Sequence, residues 1–262
     1  MTARIEIAKL ARLLGEDPAR FGYLARVPPA DVRAVRERAT EVLFDANRAA
    51  YERIAAASRL VPNAITASVA QRAFGPVMCA RVASVLEPER ALDLAGRLGT
   101  TFLADVATHL DPRRAGPIVG TLPPARVVEV ARELVRRRDF LTMGRFVGDV
   151  PEHTLRAVVT ALDEDSLVRV ALHSDSHDHF PALFAMITTP RLPAFLHPIT
   201  ADDDLATDVL PLLTALDEPG LRRLAATAEE LSTVDRKKLR AAAERTATTT
   251  GLGPLAAALG IH

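Results

Sequence analysis

Leucines stand twelve residues apart at Leu86, Leu98, Leu110 and Leu122, and the apolar positions behind them repeat at fixed offsets. Five residues on come Ala91, Leu103, Ala115 and Val127; eight on come Leu94, Val106, Ile118 and Val130; nine on come Ala95, Ala107, Val119 and Ala131. Offsets of five, eight and nine lie on one side of an α-helix. The period is too short for one continuous helix, so it predicts small helices stacked in a row. Between the apolar faces sit Glu87-Pro88, Gly99-Thr100, Asp111-Pro112 and Pro123-Pro124. Acidic or hydroxyl side chains there can cap free amides, and proline at the first helical position loses no hydrogen bond.

The phrase returns as Val150 with Leu155, Val158, Val159 and Leu162, then as Leu162 with Leu167, Val170 and Ala171. Asp149 and Glu152 stand at capping-box spacing, and Leu216-Asp217-Glu218-Pro219 leads to Leu221, Leu224 and Ala225. Residues 85–232 therefore read as antiparallel pairs of helices, each about two to three turns long and stable only against neighbours. Small residues at the contact columns, among them Ala91, Ala95, Ala107, Ala115, Gly116 and Ala131, let backbones approach closely.

Residues 1–84 follow another rhythm. After Pro28-Pro29-Ala30-Asp31, one long helix is predicted to about Leu60, with Val32, Val35, Ala39, Val42, Leu43, Ala46, Ala50 and Ile54 on its inner stripe. A second runs from Pro62-Asn63 through Phe74, and Gly75-Pro76 breaks the chain before Val77 to Leu86. This part reads as an N-terminal helical cap that shields the first repeat. At the other end, residues 233–262 read as a C-terminal helical cap and tail, opened by Ser232 with Asp235 and closed by the apolar Leu252 to Ile261 segment. No strict alternation or Asn-Gly hairpin signal competes, so the fold class is all-α.

The phrases Leu86-Glu87-Pro88-Glu89-Arg90-Ala91 and Leu110-Asp111-Pro112-Arg113-Arg114-Ala115 resemble the cytoplasmic N-terminal domain of MgtE-type magnesium transporters. Related repeats occur in the flagellar motor switch protein FliG. The resemblance spans about residues 80–190 and extends toward 232. It implies a right-handed superhelix (solenoid) of short antiparallel helices. MgtE-type proteins continue into paired regulatory modules and a membrane pore; neither is found in this sequence, so transport is not expected. No ligand position carries over.

The 33 basic and 33 acidic residues cancel, which removes the global attraction that nucleic acid or an anionic membrane would exploit. Cys79 is the only cysteine, so no internal disulfide can form and a reducing cytoplasm is the expected setting. Arg4, Glu6 and Lys9 interrupt any signal-peptide core, and no stretch reaches the roughly eighteen apolar residues of a membrane helix. The expectation is a soluble cytoplasmic protein.

Candidate chemistry is sparse. His173-Ser174-Asp175-Ser176-His177-Asp178-His179 offers imidazole and carboxylate ligands for a divalent metal on His173, His177 and His179, completed by His197. Against this, an N-cap at Asp175 or Ser176 puts His173 at the end of one helix and the other two at the start of the next. Asp202, Asp203 and Asp204 can hold a hard cation or simply cap a helix. Phe140, Met143, Phe146, Phe180, Phe184, Met186 and Phe195 can line an apolar pocket or fill the core. Cys79 lies in apolar Val77-Met78-Cys79-Ala80 and reads as a buried thiol. No catalytic triad, phosphate loop or paired-cysteine metal site is visible, so no enzyme is expected and no cofactor beyond that divalent metal.

Arg126, Arg132, Arg136, Arg137 and Arg138 form the densest basic stretch. With no tryptophan and only Tyr23 and Tyr51 for stacking, nucleic acid is an unlikely ligand. These arginines instead pair naturally with an acidic surface such as Asp149 to Glu218, in a protein partner or a second copy. The sequence thus predicts a non-enzymatic scaffold or regulatory adaptor that binds a protein partner. The alternative is a ligand- or metal-binding regulatory protein using the histidine tract or an apolar pocket.

Overall fold

A computed structural model describes residues 3–175 and 178–261, and among them the ordered elements are all helical. Two compact units emerge: Met1–Thr142 with Asp149–Thr154, and Met143–Gly148 with Leu155–His262.

The first unit holds α1 (Ala3–Leu14), α2 (Pro29–Asp45), α3 (Arg48–Ser58), α4 (Asn63–Val69), α5 (Gly75–Ala83), α6 (Pro88–Arg97), α7 (Thr100–His109), α8 (Pro112–Thr121) and α9 (Pro124–Arg136). Next in the chain come α10 (Phe140–Phe146) and α11 (Glu152–Ala161). The second unit holds α12 (Glu164–Leu172), α13 (Phe180–Ala185), α14 (Leu192–Ala201), α15 (Asp203–Leu213), α16 (Glu218–Glu230), α17 (Thr233–Arg245) and α18 (Pro254–Ala258).

The twelve-residue period becomes ten helical residues plus two extended ones. Leu98, Leu110 and Leu122 terminate α6, α7 and α8 with ψ of 147°, 142° and 139°, and Gly99, Asp111 and Pro123 follow them as N-caps, also extended. Two extended residues reverse the chain after every third helical turn. The leucines are half-buried, and Leu98 and Leu110 pack against the Ala80, Phe102 and Val106 cluster. Capping is selective. Asp111, Asp163, Asp217 and Ser232 accept amide hydrogens from the first turns of α8, α12, α16 and α17, whereas Glu87 makes no such bond. Asp and Ser carry the acceptor at the short reach an N-cap needs; Glu does not.

From α3 to α9, and again among α12, α14, α15, α16, α17 and α18, helices rest on their next-but-one neighbours, whereas α1 packs on α2 and α13 on α16. In the first unit α4, α6 and α8 form one row and α3, α5, α7 and α9 another; in the second, α12, α14, α16 and α18 follow the same rule, as do α15 and α17. Small residues make this contact possible, and Ala80, Ala91, Ala95, Ala104, Ala115 and Ala131 are all buried. The second unit is filled by larger side chains. Phe184 packs edge-on to Phe195 with centroids 5.5 Å apart and lies 6.3 Å from Phe180, amid wholly buried Leu192, Leu196, Leu210 and Leu224. These phenylalanines are core rather than pocket walls.

The N-terminal part corrects the sequence reading. The long helix expected to reach Leu60 is two helices, α2 and α3, separated at Ala46-Asn47. Asn47 takes the Leu43 carbonyl with its side-chain amide, 3.3 Å, a local bond that competes with helix continuation. The inner stripe of α2 is Val32, Arg36, Thr40 and Phe44, while Val35, Val42 and Leu43 are exposed. Charge explains the turn of the helix. Glu6 is fully buried beside Lys9, at 3.3 Å, and Arg33 and Arg36, both at 3.5 Å, so α2 must bring its arginines inward to meet it.

Candidate functional site

The arginine stretch divides into internal and external members. Arg126 donates to the Leu98 carbonyl and to Thr100 Oγ1, and pairs with Glu129. Arg137 donates to Asp105, to Glu133 at 2.8 Å and to the Thr101 carbonyl at 3.0 Å. Arg136 holds Glu133 through two bonds, 2.7 and 2.8 Å. Hydrogen bonds from Arg136, and then from Arg137, draw the Glu133 carboxyl down to a pKa of about 2. Arg132 and Arg138 are exposed, the latter in the left-handed region (φ 57°) just past the end of α9. Of the five expected partner-binding arginines, Arg126, Arg136 and Arg137 are thus bonded within the chain, Arg136 while remaining exposed.

Arg126 belongs to a recurrent device that the apolar pattern hid. Arg90 of α6 donates to the Ser58 carbonyl at the end of α3. Arg191, just before α14, donates to the Val159 and Leu162 carbonyls at the end of α11, 2.7 and 2.6 Å. Arg223 of α16 reaches the Ile187 carbonyl past the end of α13, and Lys238 of α17 reaches the Thr200 carbonyl of α14 at 3.2 Å. In every case a cation on, or just before, one helix meets carbonyls at the C-terminal end of the helix three before it, where the helix dipole is negative. The signal was present in sequence. Arg90, Arg114 and Arg126 all stand four residues after a repeat leucine. Arg114 uses its place differently, lying 4.0 Å over the Phe44 ring.

The histidine tract is spread over two helix ends. His173 terminates α12 and its Nδ1 lies 2.7 Å from the Arg169 carbonyl, while His179 is the N-cap residue of α13. His177 lies outside the described residues. Among the described residues no group of three His, Cys, Asp or Glu side chains is placed to hold a metal ion.

His197 is exposed on α14 and borders a cleft of ≈ 310 Å³ with Asp163, Glu164, Asp165, Arg169 and Asp202. Its carboxylates are already engaged. Asp163 caps α12 through Ser166, Glu164 pairs with Arg191, Asp165 pairs with Arg169 at 2.9 Å, and Asp202 caps α15 through Asp204 and Leu205. Asp203 lies 3.7 Å from Arg245. These acids thus serve as caps and ion-pair partners.

A different surface is open. Of the large apolar side chains exposed among the described residues, all but Val234 lie between Leu14 and Val77. Leu60 is 88% exposed, Ile65 54% and Phe74 49%, with Val69 and Val77 similarly bare. Ile65 and Val69 are one turn apart on α4, the first helix of its row. A π-helical turn, Ala70–Phe74, follows and ends at Gly75, whose φ of +70° suits glycine alone without strain. The Cys79 thiol anchors this turn by donating to the Ala70 carbonyl, 3.4 Å, and burial pushes its pKa up to about 11. π-turns widen a helix at the expense of regular bonding and recur at functional sites. Periodicity could not reveal this face, because a buried and an exposed apolar stripe read alike in sequence.

No protein-family model, curated protein or solved structure matches this chain. No helix among the described residues is long and apolar enough to cross a membrane.

Proposed function

We propose that this chain is a non-enzymatic cytoplasmic adaptor, built as a superhelix of short helices in the manner of the MgtE-type N-terminal domain, that docks a protein partner on its first helices. The exposed run Leu60, Ile65, Val69, Phe74 and Val77 carries the reading. Apolar side chains gathered on neighbouring elements cost free energy in water and mark interaction surfaces. Next-but-one packing supports the superhelix, since rows of helices related in this way give extended surfaces. The Arg126–Arg138 stretch is the weaker surface, because Arg126, Arg136 and Arg137 already bond within the chain.

A photo-crosslinking amino acid at Ile65, in the full chain expressed in its own cells, tests the proposal. A discrete protein adduct that disappears with Val69→Asp is expected. Absence of any adduct, or one indifferent to Val69→Asp, overturns the docking face.

A further inference from the structure

Along the chain, the charge of this segment is as uneven as its hydrophobicity, although Asp93 of α6 accepts a hydrogen bond from Asn63 at the start of α4. From Arg53 to Leu86 the sequence contains Arg53, Arg59, Arg72 and Arg81 and no carboxylate, although acids and bases balance over the whole chain. Arg59 pairs with Glu87, 3.1 Å. Arg72 is exposed within the π-turn, three residues beyond Val69 in the chain; Arg81 is half-buried, four residues beyond Val77 and so on its side of α5. Each apolar stretch therefore runs into a cation.

Resting on the docking reading above, we propose that the occupant of this face is an amphipathic helix of another protein, with an apolar stripe flanked by Asp or Glu. The stripe covers Ile65, Val69, Phe74 and Val77, and its carboxylates meet Arg72 and Arg81. Helical form follows from the rows themselves. α4 packs on α6, which packs on α8, yet Ile65 and Val69 on α4 remain bare; a further short helix laid there continues the same packing, as helices do in apolar grooves. Charge complementarity selects acidic flanks, because a basic helix would be repelled. An anionic membrane is the lesser match: electrostatic membrane binding takes about four to eight clustered cations, and here Arg53, Arg72 and Arg81 are those not paired with Glu87.

The test is selection of a displayed library of helical peptides against the full chain, followed by anisotropy titration of the winners. Enrichment of acidic residues beside an apolar stripe is expected, with affinity falling at least tenfold on Val69→Asp or Arg72→Glu and declining as salt rises. Both positions are exposed, and melting curves matching the parent establish that the variants fold. Enrichment of basic or uncharged peptides, or binding indifferent to Arg72→Glu, overturns the acidic-helix assignment. So does a chain that selects no such peptide but co-sediments with phosphatidylglycerol vesicles. If the Ile65 crosslink forms while acidic peptides are not enriched, the docking face stands and this assignment of its occupant fails.

Discussion

Arg126 donates a hydrogen bond to the carbonyl oxygen of Leu98, twenty-eight residues earlier in the chain. It ties the first turn of α9 to the extended residue that closes α6, and four further cations make the equivalent connection elsewhere. Charged hydrogen bonds of this kind contribute about 1.5–3 kcal/mol each. Replacing Arg126 with Met keeps the apolar stem and removes the bond. Denaturant unfolding should show a loss of about 1.5–3 kcal/mol, against less than about 0.5 kcal/mol for Arg132→Met at the exposed position on the same helix. Equal effects would sink the strut.

Glycines separate tight from open positions. A Cβ on Gly144 would lie 2.4 Å from the His173 backbone carbon, whereas one on Gly96 in α6 meets nothing within 4 Å. Backbone cannot swing aside as a side chain does. Gly144→Ala should therefore cost about 1–3 kcal/mol or more, while Gly96→Ala should stabilise by about 0.5–1 kcal/mol through helix propensity. Opposite shifts in melting temperature are the readout.

Asp139 makes the first unit sensitive to acid. Burial alone would raise its pKa, but bonds from Arg12 and Thr142 outweigh burial and hold it below the ordinary value. A carboxylate depressed in the folded state stabilises fully above its unfolded pKa, about 3.9, and that stabilisation is lost as pH falls through the folded value. Asp139→Asn should lower stability near pH 6, and the gap to the parent should narrow as pH falls below about 3.9. A gap that stays constant with pH would exclude this role.

Cys79 reports on the π-turn. A thiol with pKa about 11 is almost wholly protonated at pH 8, and only the thiolate is nucleophilic. Iodoacetamide should label native Cys79 on the order of a hundredfold more slowly than a free cysteine of pKa ~8.5, and denaturant should abolish the difference. Rapid labelling of the folded chain would mean that the turn opens readily.

Local order was written in the sequence. A leucine every twelve residues, followed by extended-favouring punctuation and, for α6, α8 and α9, by proline, dictates where α6, α7, α8 and α9 begin, because capping and proline geometry act within a few bonds. Asp111, Asp163, Asp217 and Ser232 cap as their chemistry predicts.

Facing was decided only in three dimensions. Val35 and Val42 belong to an apolar pattern yet turn outward, because buried Glu6 draws Arg36 to the inside of α2. Arg126 and Arg137 look like a basic patch in one dimension, but their partners arrive from helices 26–36 residues away. Ile65 and Val69 resemble core until the row is seen to begin with them. Propensity and capping depend on neighbours in the chain, whereas which apolar or charged side chain meets water depends on neighbours in space, and no reading of period alone supplies those.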